Sequence, residues 1–234
     1  MNSDIQFETF LLVSYKKFSI LVIRKFDLQK IYLEEIQLSN NESEINFNEL
    51  NNFLDKNIFK IEKLIGNFIK NIFLIIDDNK LLNLNIGIKK KNYKKKIDKK
   101  FLENSIAEVK DLVNEAYQEN KIMHIIIETF LVKEKYYQTF EENLYGDQLS
   151  LEISFLMIPN NFISRVESVV EKFQIKISGC LNKNYIINFF KKNNLELSEM
   201  AHNIQIGCNK NEVQIVPKNY EKKGFFEKFF QFFS

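Results

Sequence analysis

The chain ends KKGFFEKFFQFFS, Lys222 to Ser234, and six of its final ten residues are phenylalanine. Wound as a helix at about 100° per residue, Phe225, Phe226, Phe229, Phe230, Phe232 and Phe233 fall within an arc of about 160°, and Glu227, Lys228, Gln231 and Ser234 fill the rest. A ribbon so divided gains free energy by leaving water, and burial of each ring is worth about 1.5–3 kcal/mol. Lys218, Lys222, Lys223 and Lys228 lie beside it, where anionic headgroups would attract each lysine by about 1 kcal/mol. Insertion into a membrane interface is therefore the favoured reading. Docking of the same stripe into the protein's own core is the other one, although core stripes rarely consist of Phe alone and Pro217 and Gly224 separate the segment from what precedes it. So short a helix is nearly unfolded in water and orders on landing, which makes a single tail a weak and reversible anchor. Self-association would strengthen it through effective concentration, and is expected for that reason.

A second stretch with chemistry to offer is Lys89 to Lys100, KKKNYKKKIDKK, in which Lys89, Lys90, Lys91, Lys94, Lys95 and Lys96 surround a possible stacking partner, Tyr93. Nucleic acid or acidic lipid could use such a patch, as could an acidic segment of a partner protein. The plain reading is a solvated strand and loop in a lysine-rich chain. The net charge of only +2, from 33 basic and 31 acidic residues, supplies no global field to gather nucleic acid, and the weight falls against that partner. His124 sits inside an apolar run and His202 in a weakly patterned stretch. Neither has a cysteine or carboxylate at ligand spacing, so both read as structural histidines with no metal expected. The adjacent pairs Glu34-Glu35, Asp77-Asp78 and Glu141-Glu142 point to opposite faces in a strand and do not converge for acid/base work. Cys180 and Cys208 form no paired framework and read as ordinary small residues of a reducing compartment. There is no GxSxG, Walker loop, HExxH or GxGxxG, and only six glycines in all. A binding protein without cofactor is expected, and not an enzyme.

These segments need elements to carry them. Ile5–Val13, Phe18–Phe26 and Ile31–Leu38 alternate as three antiparallel strands, and from Asn46 the residues Leu50, Phe53, Leu54, Ile58, Ile61, Leu64, Ile65 and Phe68 recur at three and four as a helix of about six turns. Asn71–Asp77 reads as a buried strand and Leu82–Ile88 as a short one. Leu102, Ile106, Val109, Val113 and Ala116 mark a further helix, followed by long strands at Ile122–Val132 and Leu149–Ile158. Pro159 closes the last of these, a helix begins near Asn160 or Asn161, Gln174–Gly179 is a strand and Tyr185–Phe190 a short helix. Residues 193–221 are expected to be a partly ordered linker. The class is α+β: βββαβ, an inserted βαββ unit, then αβα. The start MNSDIQFETF has no signal-peptide pattern and no stretch reaches about 18 apolar residues, so the chain is expected to stay in the cytoplasm.

The order βββαβ, insertion, αβ resembles the first lobe of an actin-like (ribonuclease H-like) fold. More narrowly, HIIIETFLVK (His124–Lys133), LYGDQLSLEI (Leu144–Ile153) and VESVVEKFQIKI (Val166–Ile177), in this sequence order, resemble the bacterial cell-division protein FtsA, which also ends in a membrane-docking amphipathic helix. The resemblance implies an actin-like lobe from residues 1–83 and 159–192, an inserted strand-helix-strand-strand (SHS2) subdomain at 84–158, the linker, and an amphipathic helix at 222–234. It also implies an adaptor on the cytoplasmic face of the inner membrane at the division site, contacting inner-membrane lipid and division-complex proteins, with polymer contacts through the inserted unit. Two departures qualify this. Where actin-like proteins carry an Asp-x-Gly phosphate loop, this chain has Val13-Ser-Tyr-Lys-Lys-Phe, without the glycine that lets backbone approach phosphate. The family's second lobe, associated with FtsZ, is almost wholly missing, so any link to FtsZ is expected to be indirect. A related possibility is an actin-like platform protein of a pilus or envelope assembly.

Overall fold

The computed structural model describes residues 7–38, 44–78, 80–93, 96–140 and 144–213. The chain divides into two compact units, one running to Lys80 and resuming over Asn161–Gln205, the other comprising Leu81–Asn160 and the chain from Ile206 on.

In the first unit, β1 (Phe7–Ser14), β2 (Lys17–Arg24) and β3 (Lys30–Gln37) form an antiparallel meander. After it comes α1 (Phe47–Ile65), which starts where Asn46 Oδ1 accepts from Asn48 N at 3.1 Å and Glu49 N at 3.3 Å and stops at Gly66, left-handed at φ 69°. That is the cap pair a helix uses to satisfy its terminal backbone groups. The strand β4 (Asn71–Asp77) then lies parallel to β1, and β11 (Lys176–Asn182) parallel to β4 on its other side. The sheet order is β11-β4-β1-β2-β3. Both faces are buried, which explains why β1, β2 and β4 are continuous apolar runs. On one face Phe10, Leu12, Leu21, Ile23, Ile75 and Leu181 pack with Ile186 and Phe190 of α4 (Lys183–Phe189) and its C-cap, and with Ala201 and Ile204 of α5 (Leu197–Gln205). On the other lies α1, whose Phe53 ring is 6.2 Å from that of Phe18, flanked by α3 (Asn160–Val170) through Phe162, 6.0 Å from Phe47.

The segment spliced between β4 and α3 makes most of the second unit. It contains β5 (Leu82–Lys91), β6 (Lys96–Ile97), α2 (Lys99–Ala116), β7 (Asn120–Val132), β8 (Lys135–Tyr137), β9 (Leu144–Tyr145) and β10 (Gln148–Pro159). Its antiparallel sheet runs β12-β7-β10-β5, with β8 folded back on β7; β12 is Glu212–Val213. Leu102, Ile106, Val109 and Val113 of α2 pack on Ile125, Ile127, Phe130, Leu151, Ile153 and Phe155.

Three differences from the sequence reading have physical causes. β5 runs on to Lys91, because alternation continues through the lysines and carries two of them on one face and one on the other. The stretch read as linker carries α5 and β12 among its described residues; the stripe of Ser198, Ala201 and Ile204 is too short and small to stand out. And α1 ends at Ile65, about five turns long, because Gly66 stops it and leaves Phe68 80% exposed.

Candidate functional site

Ligands of open sheets with parallel strands sit at the strands' carboxyl ends, which here bring together Ser14, Asp77 and Asn182. The register pairs Ser14 with Asp77 and Ile76 with Asn182. Each polar group is engaged locally. Ser14 Oγ accepts from Lys17 N at 2.9 Å and Lys16 N at 3.2 Å and donates to the Lys17 carbonyl at 2.9 Å. Asp77 Oδ2 lies 2.7 Å from Lys183 Nζ, and Asn182 Oδ1 accepts from Tyr185 N at 2.9 Å to cap α4. The first turn is thus a tight hairpin closed by its own serine, and the chemistry of this end is that of a strand terminus held shut. Beside it Lys17 binds Glu35 at 2.8 Å and, chiefly by that hydrogen bond, holds the Glu35 carboxyl below its ordinary range.

The two histidines acquire partners that no local spacing could reveal. His124 Nδ1 lies 2.6 Å from Glu212 Oε1, both buried, joining β7 to β12. His202 Nδ1 lies 2.6 Å from Glu8 Oε2, joining α5 to β1, with Lys25 Nζ 3.8 Å from the other oxygen. The carboxylates stand 88 and 194 residues away in the chain. Each pair pins one element to a sheet, in keeping with structural histidines. Among the described residues no group of three or more histidine, cysteine, aspartate or glutamate side chains is placed to hold a metal ion. Neither Cys180 nor Cys208 is in a disulfide.

The basic stretch is partly dispersed by the strand it belongs to. Lys89 and Lys91 project with Asn83, Asn85 and Gly87 on the exposed row of β5. Lys90 turns to the other face and pairs with Glu108 of α2. Tyr93 is 77% exposed in a left-handed turn at φ 49°, and Lys96 is exposed in β6. Lys94 and Lys95 lie outside the described residues. Buried Asn92 fixes the end of β5, donating from its side chain to the Gly146 carbonyl at 3.1 Å and from its backbone to the Asp147 carbonyl at 2.6 Å. On α2 the half-buried carboxyl of Glu103 is pushed up by desolvation, against the pull of Lys99. The period of two, Leu82, Leu84, Ile86 and Ile88 inward and polar residues outward, marks β5 as a strand with one wet face; that it is an edge strand follows only from the strand order.

Phe225, Phe226, Phe229, Phe230, Phe232, Phe233, Lys222, Lys223 and Lys228 also lie outside the described residues. Among the residues that are described, no helix is long and apolar enough to cross a membrane.

No protein-family model matches the chain, and no curated protein matches it. Among solved structures the chain is similar to a PilM-PilN type IV pilus biogenesis complex, at 10% identity and a TM-score of 0.49, over 78% of this chain and 49% of that one. It is also similar to a protein from Bacteroides thetaiotaomicron described as having an actin-like ATPase fold and unknown function, at 13% identity and a TM-score of 0.35, over 81% of this chain and 58% of that one. The chain spans about half the length of these structures.

Proposed function

We propose that this protein is an actin-like adaptor of a membrane-associated assembly. The first unit is the scaffold, the segment spliced between β4 and α3 carries protein partners, and Phe225 to Phe233 are the foot on the cytoplasmic face of the inner membrane. The observation that carries the reading is the sheet order β11-β4-β1-β2-β3, with a helix-and-sheet unit inserted after β4. The order βββαβ, insertion, αβ along the chain is the one on which the resemblance to actin-like proteins rests. The closed Ser14 hairpin supports tethering over phosphate chemistry, because a glycine-free turn tied by its own side chain leaves no backbone cradle for phosphate. The division reading comes from the FtsA-like motifs; a pilus or envelope platform is the alternative.

The test is co-sedimentation with anionic liposomes. Full-length protein is expected to pellet with vesicles containing phosphatidylglycerol, and protein lacking Gly224–Ser234 to stay in the supernatant. Continued pelleting of the truncated chain would refute the lipid foot. In cells, a midcell ring of the tagged protein supports a division role, and a polar or scattered distribution supports the platform instead.

A further inference from the structure

We infer that the free edge of β5, Leu82–Lys91, is a docking site for an extended acidic segment of a partner protein, which adds to the sheet as a further strand. The inference rests on the adaptor reading for the partner's role; the surface itself is argued from the sheet. Strand order leaves β5 paired only with β10, and no strand covers its other edge among the described residues. A strand edge presents unpaired N–H and C=O groups, which an incoming backbone satisfies directly.

The two rows of side chains define the occupant. On the face toward α2, Leu82, Leu84, Ile86 and Ile88 are only half-buried although their β10 partners Met157, Phe155, Ile153 and Leu151 are fully buried. These four β5 side chains pack only partly against the core that includes Leu102, Ile106, Val109 and Val113 of α2, so this edge is less sealed than the middle of the sheet. On α2 Leu112, one turn beyond the Glu108 that pairs with Lys90, is 64% exposed. An added strand would place alternate apolar side chains between this row and that leucine. On the opposite face Asn83 and Asn85 lead to Gly87, where nothing lies within 4 Å of the space a Cβ would take. A glycine inside a strand suits close approach of another backbone. Past Gly87, Lys89 and Lys91 stand on the same row, facing Ser150 and Gln148 across the ladder, with no carboxylate partner among the described residues. Carboxylates two residues apart on the added strand would meet them as cross-strand pairs. Nucleic acid suits the edge less well. The run of lysines is split between two faces, Lys90 is neutralised by Glu108, and Glu152 lies opposite Gly87 on the exposed row.

The probe is a pair of ten-residue capped peptides in which valine alternates with threonine, with two glutamates, or two lysines, replacing the threonines nearest one end. Each is made with the charged end first and with it last. Fluorescence anisotropy against the full-length protein is expected to show the glutamate peptide, in one of its two directions, binding at least tenfold tighter than the lysine peptide. Amide exchange is expected to slow over Leu82–Lys91. The exposed-site variant Lys89→Glu/Lys91→Glu, which touches no core residue, is expected to reverse the preference between the peptides and leave liposome binding unchanged. The inference is overturned by no peptide binding, by equal binding of both peptides, by protection falling on β3 instead of β5, or by displacement of the peptide by a single-stranded oligonucleotide. It is equally overturned if the protein without peptide forms a dimer in which β5 is already protected. Loss of liposome binding on tail deletion with no peptide effect would sink this inference and leave the adaptor reading standing; peptide binding without any liposome binding would do the converse.

Discussion

Replacing Glu212 by alanine tests whether the two-residue strand β12 is held mainly by one buried pair. Residues Asn211–Val213 are ordered at a conformational cost of about 1–2 kcal/mol each. Against that stand a fully buried Val213, worth about 2 kcal/mol, and backbone bonds such as Ile127 N to Asn211 O at 2.9 Å, worth about 1 kcal/mol each. These contributions roughly cancel. Further stabilisation comes from Asn211 Nδ2, which donates to the Gln138 carbonyl at 2.6 Å, and from Glu212 Oε1 on His124 Nδ1 at 2.6 Å, a buried contact worth about 1.5–3 kcal/mol if charged. Removing the carboxylate deletes that contribution and leaves His124, 2% exposed, short of a partner it has in the wild type.

The expected result is local opening of β12. Amide exchange at Ile127, whose N–H is bound by Asn211 O, should speed up at least tenfold, because about 1.4 kcal/mol of lost stability is a factor of ten. Interior amides of β10 that pair with β5 should keep their protection. Local exchange is the right readout because two units make a single unfolding midpoint ambiguous. Glu212→Gln, which keeps the shape and an acceptor oxygen, should fall between the two. If Glu212→Ala exchanges at Ile127 within twofold of wild type, the pair contributes little and the reasoning fails.

Two further substitutions probe the first unit. Asn57, 2% exposed in the middle of α1, donates to the Phe53 carbonyl at 2.7 Å and accepts from Tyr32 Oη at 2.6 Å; Asn57→Ala should destabilise that unit by about 1–3 kcal/mol in urea, and it should lower the Tyr32 pKa little if burial, its leading cause, is what raises it. Lys17→Ala should return Glu35 to its ordinary carboxylate pKa, read by NMR titration. Because the folded-state value is depressed, the wild-type pair stabilises above the unfolded pKa and its contribution is lost as pH falls through the folded one, so the wild-type advantage should fade in acid.

What the sequence made legible follows the range over which each signal acts. Helix α1 could be read because Leu50, Phe53, Leu54, Ile58 and Ile61 repeat at helical spacing and Asn46 marks its start, all within twenty residues or so, while the apolar Phe68 carried the reading past the stop at Gly66. The β1–β2 hairpin was legible for the same reason, since four residues set its turn. The histidine pairs were not, because pairing His202 with Glu8 requires α5 to dock beside β1, and α5 itself rests on only Ser198, Ala201 and Ile204. The lysine run was legible as charge but not as geometry. A solvated loop would present Lys89, Lys90 and Lys91 together, and only the pleat of a strand sends the middle one to Glu108 and leaves the outer two in water. The openness of the β5 edge is more remote still, since it is a property of strand order and of no residue in β5. Leu82-Asn-Leu-Asn-Ile-Gly-Ile would read the same in a central strand with one wet face. The half-burial of its apolar row then becomes the diagnostic fact. In a sheet whose neighbouring β10 is sealed at Leu151, Ile153, Phe155 and Met157, a row left partly wet marks where the layer runs out, and so where another chain can extend it.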